Sequence, residues 1–415
     1  MLALPGTNYF KFEIISKYGS HIERLYKKRY NKNVFGISHL IEHLSFKHPK
    51  DYDSKTLLKL LKNEGTYNAS TDYHRINYWF QTTMDRIDLS IKLVANCALN
   101  TLKDVSDDEF ETEKKVVYNE AKRYGDNAQT MFWFNVTRAL TGYEKEDIII
   151  GTPETISTLT KEDCIIVKDM FLSNAERIYN VTYDSTILTE NEVIEKIENE
   201  LQRHKPLGIA DKVTQKEYDS FIIEPKNITS KIDNESEQFM TMVNLDVVDN
   251  KFTAISGNNY LSTYAEGTSL NDIIREQNGL TYEISFWVED ISRKQYTCFG
   301  CDVSKGTEDL MMKLFKESIN KSVDNWNDDT YEKYIKTKKL KRTMRLLNQK
   351  NYGYWHTIGT WNPELVEEFS DILAKDIDKS YDVIDNKYSS KEAIGEYIEK
   401  VRNVVNSGNY GKVTN

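Results

Sequence analysis

His39-Leu40-Ile41-Glu42-His43 constrains this chain more than any other stretch of it. Two histidines four residues apart lie on one face of a helix, about a turn from each other. Both imidazoles can then reach one tetrahedral Zn²⁺ and leave a position open for water. Glu42 can sit beside that water without ligating the metal, which makes it a candidate general base. The chain has only seven histidines, and neither His48 nor His74 has ligand spacing. Such a site needs a third protein ligand, for which Glu113 and Glu120 are the strongest candidates. They are two helical turns apart and share a face. Singly, each reads as a solvated position on a Glu/Lys-rich helix; only the spacing singles them out.

A length of 415 residues suits two domains better than one. With 39% hydrophobic and 29% charged residues the composition is that of an ordinary globular protein. No apolar run approaches a membrane span and the first residues lack a signal-peptide core, so a cytoplasmic protein is expected. That means bacterial cytoplasm, or the host's if the source is a phage or virus. A net charge of −10 argues against nucleic acid as a partner. Four cysteines are too few for a disulfide scaffold. Cys298 and Cys301 form a C-x-x-C inside a strand-like run, where residues three apart point to opposite faces. They read as two reduced, half-buried thiols.

The periodicity predicts strands over 8–16, 76–83 and 177–183 and helices over about 38–46, 55–63, 84–102, 107–124 and 191–201. Ser38 is a plausible cap for the histidine helix, and Thr160-Lys161-Glu162-Asp163 opens another helix. From Arg203 to about Thr229 the pattern loosens around Pro206, Gly208 and Pro225. The expected division is therefore a domain at 1–205, a linker at 206–228 and a second domain at 229–415. The second half repeats the order: a strand over 238–245, a helix over 252–261, then further strands and long helices. The fold class is α+β, two homologous domains, each a mostly antiparallel sheet packed with helices.

Further motifs fall in order along the chain. Gly65-Thr66-Tyr67-Asn68-Ala69-Ser70-Thr71 fits G-x-x-N-A-x-T. Ile150-Gly151-Thr152-Pro153-Glu154 is one residue shorter than I-x-G-T-x-E. Arg275-Glu276-Gln277-Asn278-Gly279-Leu280-Thr281-Tyr282 looks like L-R-E-x-x-G-L-x-Y. Together with H-x-x-E-H, the inverted zinc-peptidase helix motif, this set resembles the M16 metallopeptidases, the pitrilysin, insulin-degrading enzyme and mitochondrial processing peptidase group. The 76 residues between His43 and Glu120 match that family's spacing.

The resemblance implies one Zn²⁺ per chain held by His39, His43 and Glu120, with Glu113 orienting the site and Glu42 as the base. It implies an extended peptide added to the edge strand at Asn68 and Ala69. Arg275 and Tyr282 would contact the substrate backbone and the oxyanion. The implied activity is zinc-dependent endopeptidase cleavage of unfolded peptides or flexible leader segments inside a closed chamber. A chain of two domains resembles the family's short type, which pairs two chains: a homodimer, or a heterodimer with a zinc-less homologue. The alternatives are a dedicated maturation protease for one leader or viral precursor, and a non-catalytic scaffold subunit of the same fold. The chain departs from the family pattern in two places. It has little room for a strand before 8–16, and His48 stands where a glycine commonly follows the Phe-Lys pair.

Overall fold

The computed structural model describes residues 1–141, 143–144, 146–221, 230–231, 238–244, 250–291, 294–349 and 385–414. They form two compact units. Among the described residues, the first comprises 1–125 and 146–221. The second comprises 126–144, the described parts of 230–349, and 385–414.

The first unit is built on a five-stranded sheet of β1 (Leu2–Ala3), β2 (Tyr9–Ser16), β3 (Thr66–Thr71), β4 (Ile76–Thr83) and β5 (Arg177–Tyr183), in the order β1-β5-β2-β4-β3. All pairings are antiparallel except β1 with β5. The strand for which the sequence left little room is thus present as two residues, Leu2 opposite Thr182 and Ala3 opposite Tyr183. Phe10, Phe12 and Ile14 alternate onto one face of the central strand and join the core. The helices of this unit are α1 (Ile22–Tyr30), α2 (Ile37–Leu44), α3 (Ser54–Asn63), α4 (Ile87–Ala98) and α5 (Asp107–Gly125). In the second unit follows α6 (Ala128–Thr141); in the first again come α7 (Pro153–Thr158), α8 (Lys161–Asn174), α9 (Glu190–Leu201) and α10 (Gln215–Asp219).

Residues 206–221 do not behave as the loose linker expected of them. The Asp169 carboxylate accepts the N–H groups of Leu207, Gly208 and Ala210. Arg24 donates to the Phe221 carbonyl and Arg29 to those of Asp211 and Lys212. Tyr218 is fully buried and stacks on Tyr18 at 4.5 Å. The segment is a strap of the first unit; 222–228 of the expected linker lie outside the described residues.

The second unit repeats the topology. Its sheet holds β6 (Ser230–Lys231), β7 (Gln238–Asn244), β8 (Ile284–Ile291), β9 (Lys294–Asp302) and β10 (Tyr410–Thr414), ordered β6-β10-β7-β9-β8, with β6 and β10 parallel and the rest antiparallel. Counted from its own first strand, each sheet reads 1-5-2-4-3. One face is covered by α11 (Lys251–Asn259), α12 (Glu308–Asp324) and α14 (Lys391–Ser407), with α13 (Asp328–Gln349) outside them.

The boundary at 205 also needs correcting on its inner side. Helix α6 belongs to the second unit: Phe132 and Val136 pack with Tyr296, Cys298 and Val413, and Trp133 meets Trp287 edge-on at 5.7 Å. Cys298 lies in this cluster, while Cys301 packs with Phe299 on the other face of β9. Both thiols are free and buried, opposite each other across the sheet as their spacing requires.

Candidate metal centre

Helix α2 presents Ile37, Leu40, Ile41 and Leu44, all buried, at i, i+3, i+4 and i+7. Each such side chain contributes roughly 1.5–3 kcal/mol by leaving water. Their burial turns the opposite face, with His39, Glu42 and His43, away from the core. The helix begins one residue before Ser38, so Ser38 is not its cap. The cap is Gly36, at φ +93°, and the acceptor for the orphan N–H groups comes from elsewhere in the chain. The buried Glu23 carboxylate accepts from Gly36 N at 2.9 Å and Ser38 N at 2.8 Å. Gly36 touches Gly151, itself at φ +73°. The Ile150–Glu154 motif thus lets the chain entering α7 lie against the head of α2.

Glu113 and Glu120 lie on α5 beside Phe110, Val117 and Ala121, the buried stripe that seats this helix. His39, His43 and Glu120 come together with one ligand atom of each within 4.8 Å of the others. Glu120 Oε2 is 3.6 Å from His43 Nε2 and 4.0 Å from His39 Nε2. The Glu113 carboxylate is 3.3 Å from His43 Nδ1 and 2.8 Å from Lys47 Nζ. It therefore holds the ring nitrogen of His43 that faces away from Glu120, the arrangement by which zinc-binding histidines are oriented. His39 Nδ1 is buried without a hydrogen-bond partner among the described residues, so packing alone orients that ring. Glu42 accepts a hydrogen bond on Oε2 from the Thr71 hydroxyl, at 2.5 Å.

The electrostatics separate the two histidines. Burial, reinforced by the charge on His43, pushes His39 down to about 3, so it is neutral and ready to bind metal. Burial also opposes the charged form of His43, but the hydrogen bond that His43 donates to Glu113 and the charges of Glu42, Glu113 and Glu120 outweigh it and raise its pKa. For Glu113 the order reverses: burial raises its pKa, while His43 and Lys47 more than compensate and keep it a carboxylate. Burial raises Glu42 above the ordinary glutamate range, with the Thr71 bond and His43 working against it. A raised carboxyl is what a proton shuttle requires. Two imidazoles and one carboxylate, with a carboxylate behind one imidazole, are a donor set that fits Zn²⁺.

Asn68 and Ala69 lie on β3, the edge strand of the first sheet. Ala69 is buried on the face that Thr71 shares, and Asn68 is exposed on the other. Arg275 and Tyr282 lie in the second unit. Arg275 belongs to a π-helical stretch, Asn271–Gln277, that ends at Gly279 in the left-handed region, φ +59°. Its guanidinium stacks 5.2 Å from the Tyr282 ring centroid, and Tyr282 is 85% exposed.

Three side chains at the site escaped the sequence reading. Thr71 closes the G-x-x-N-A-x-T pattern, which by itself assigns it no role. Lys47 follows the histidine motif by one helical turn, a spacing that could have paired it with a carboxylate. Glu23 gives no local signal for capping a helix that begins 14 residues later.

Residues 28–153 match the insulinase family, peptidase family M16. Over 94% of its length the chain is 22% identical to an uncharacterized zinc protease of Rickettsia felis, covering 93% of that protein. Over 123 residues it is 31% identical to the zinc protease PqqE of Helicobacter pylori, 26% of that protein's length. Its fold superposes on a protease from Helicobacter pylori with a TM-score of 0.71, at 16% identity, covering 99% of this chain and 95% of that one. It also superposes on the inactive M16 peptidase domain of Pseudomonas fluorescens, with a TM-score of 0.70 at 14% identity, covering 99% and 94%. Over residues 28–153 the chain is similar to peptidase family M16, and its α+β fold is that of M16 peptidase structures. Among the described residues, no helix is long and apolar enough to cross a membrane.

Proposed function

We propose that the chain is a zinc-dependent endopeptidase that hydrolyses extended, unfolded peptide segments. The observation that carries this reading is the convergence of His39, His43 and Glu120 with Glu42 beside them on the same helix. Bound by the three ligands, zinc supplies a Lewis acid that polarises water and the scissile carbonyl. Glu42 takes the proton from the attacking water as its oxygen bonds to the carbonyl carbon, and returns it to the amine as the C–N bond breaks. Glu113 keeps His43 turned toward the metal.

The open edge of β3 favours an extended substrate. A peptide added there pairs through its backbone, which makes binding largely independent of sequence. Arg275 and Tyr282 would bind the substrate backbone and the oxyanion, a role supported by the likeness of their segment to the family's. One chain carries both sets of groups, so two copies could close a chamber without a specialised partner. The scaffold alternative has a structural neighbour in the inactive Pseudomonas domain. The presence here of all three ligands and Glu42 favours the enzyme.

Metal analysis beside cleavage of a quenched, unstructured peptide mixture tests the proposal, with Glu42→Gln as the control. About one zinc per chain in both proteins, with cleavage in the wild type only, is the expected result. A wild type that binds no zinc would overturn it. Zinc without cleavage of any peptide in the mixture would favour a maturation enzyme restricted to one precursor.

A further inference from the structure

Glu42 is the group whose position decides the proposed reaction, and the helix that carries it fixes only its backbone. Its side chain has three rotatable bonds and sits near Glu120, whose charge has the same sign. Among the described residues one hydrogen bond reaches this carboxylate, from Thr71 Oγ1 to Oε2. Oε1 is left without a partner there, the oxygen open to a proton.

Thr71 is well placed for that work. It is the last residue of β3 and pairs with Ile76 of β4. Immediately beyond it the chain is pinned. Asp72 N donates to the Arg75 carbonyl, and the Asp72 carboxylate accepts from His74 N and Arg75 N. The Asp72 carbonyl also accepts from Ser20 N. A β-branched side chain on so constrained a backbone has few χ1 choices. Its hydroxyl is thus a fixed point, whereas the glutamate is flexible.

We propose that Thr71 is a positioning residue that holds Glu42 through Oε2 with Oε1 turned to the substrate water. This also ties the general base to the strand on which the peptide is expected to dock, so that one rigid hairpin places both. The inference rests on the reading of Glu42 as the proton acceptor. It assigns to Thr71 no contact with metal or peptide.

The test compares Thr71→Val, which removes the hydroxyl at nearly constant shape, with Thr71→Ser, which keeps it. In the Val variant kcat falls by about 10–100-fold, the scale of a misplaced catalytic group. KM stays within about twofold of wild type and zinc content is unchanged, while Ser restores most of kcat. A second readout needs no turnover. In metal-free protein labelled with ¹³C at glutamate carboxyls, the Glu42 resonance, assigned by its loss in Glu42→Gln, shifts in the Val variant and stays in place in the Ser variant. An unshifted resonance in Thr71→Val overturns the proposal whatever the rates are. So does a loss confined to KM or accompanied by loss of zinc, which would mark a structural or docking role. If the wild type binds no zinc, the peptidase reading falls, and the resonance alone still decides whether Thr71 places the carboxylate.

Discussion

Gly36 and Gly151 meet backbone to backbone at the head of α2. A Cβ on Gly36 would lie 2.7 Å from the Gly151 Cα and 2.8 Å from the Ile150 carbonyl oxygen. Both residues also have positive φ, which L side chains rarely adopt. Gly36→Ala should therefore destabilise the first unit by about 1–3 kcal/mol, the scale of overpacking and left-handed strain. The shift of a denaturation midpoint measures it. A midpoint equal to wild type would mean that the α2 and α7 backbones can separate without loss.

Glu113 should matter to the metal more than to the fold. Glu113→Gln weakens its hold on His43 Nδ1 and should reduce zinc affinity by about 10–100-fold in chelator competition. The pH dependence follows from the same contacts. The pKa of metal-free His43 is raised, so it holds its proton to a higher pH than a free histidine, and zinc must displace it. Affinity should fall as pH drops through that raised pKa. An affinity independent of pH between 6 and 8 would refute the raised pKa.

His48 occupies a left-handed backbone position, φ +35°, which explains why a glycine suits this place in the family pattern. Its ring compensates through Nδ1, 2.6 Å from Glu109, and its N–H donates to Ser54. His48→Ala keeps the strain and loses the ring, whereas His48→Gly also relieves the strain. The glycine variant should therefore be the more stable of the two by about 1 kcal/mol. Identical unfolding curves for both would show that the backbone angle is unimportant here.

Lys168 is buried behind α2, with Nζ donating to Ser45 Oγ and the Ala98 carbonyl and lying 5.2 Å from the Tyr78 ring centroid. Burial, with Arg177 adding to it, lowers its pKa from 10.5 to about 7. A depressed folded pKa gives stability that is present above 10.5 and lost as pH falls through about 7. Stability of the wild type relative to Lys168→Met should thus rise with pH between these limits, by at most about 1.4 kcal/mol per unit. Denaturant midpoints at pH 6.5 and 9 check it, and a difference that does not change with pH would place the ammonium in contact with water.

The elements that the sequence made legible are those whose signal is local. The alternation in 76–83 and 177–183 gave both strands to the residue, and the capping box at Thr160 and Asp163 formed as read. Glu113 and Glu120 could be singled out because helical spacing alone puts them on one face. The misreadings are all of distant pairings. Ser38 looked like a cap because nothing near it shows that Glu23 does that work. The 206–221 segment looked loose because proline, glycine and charge suggest a linker when Asp169, Arg24 and Arg29 are not in view. The boundary expected at 205 left residues 126–144, which hold helix α6, with the first half because Trp133 and Trp287 lie far apart in the sequence.

That last helix makes the chain's two halves inseparable by a single cut. A fragment starting after residue 222 would keep every strand of the second sheet and lose α6, baring the face on which Tyr296, Cys298 and Val413 are buried. A fragment ending there would carry α6 with its partner surface missing. The duplication is modular in its strand order but interleaved in its sequence. Recombination that exchanges one half for a relative's must therefore take residues 126–144 along with it.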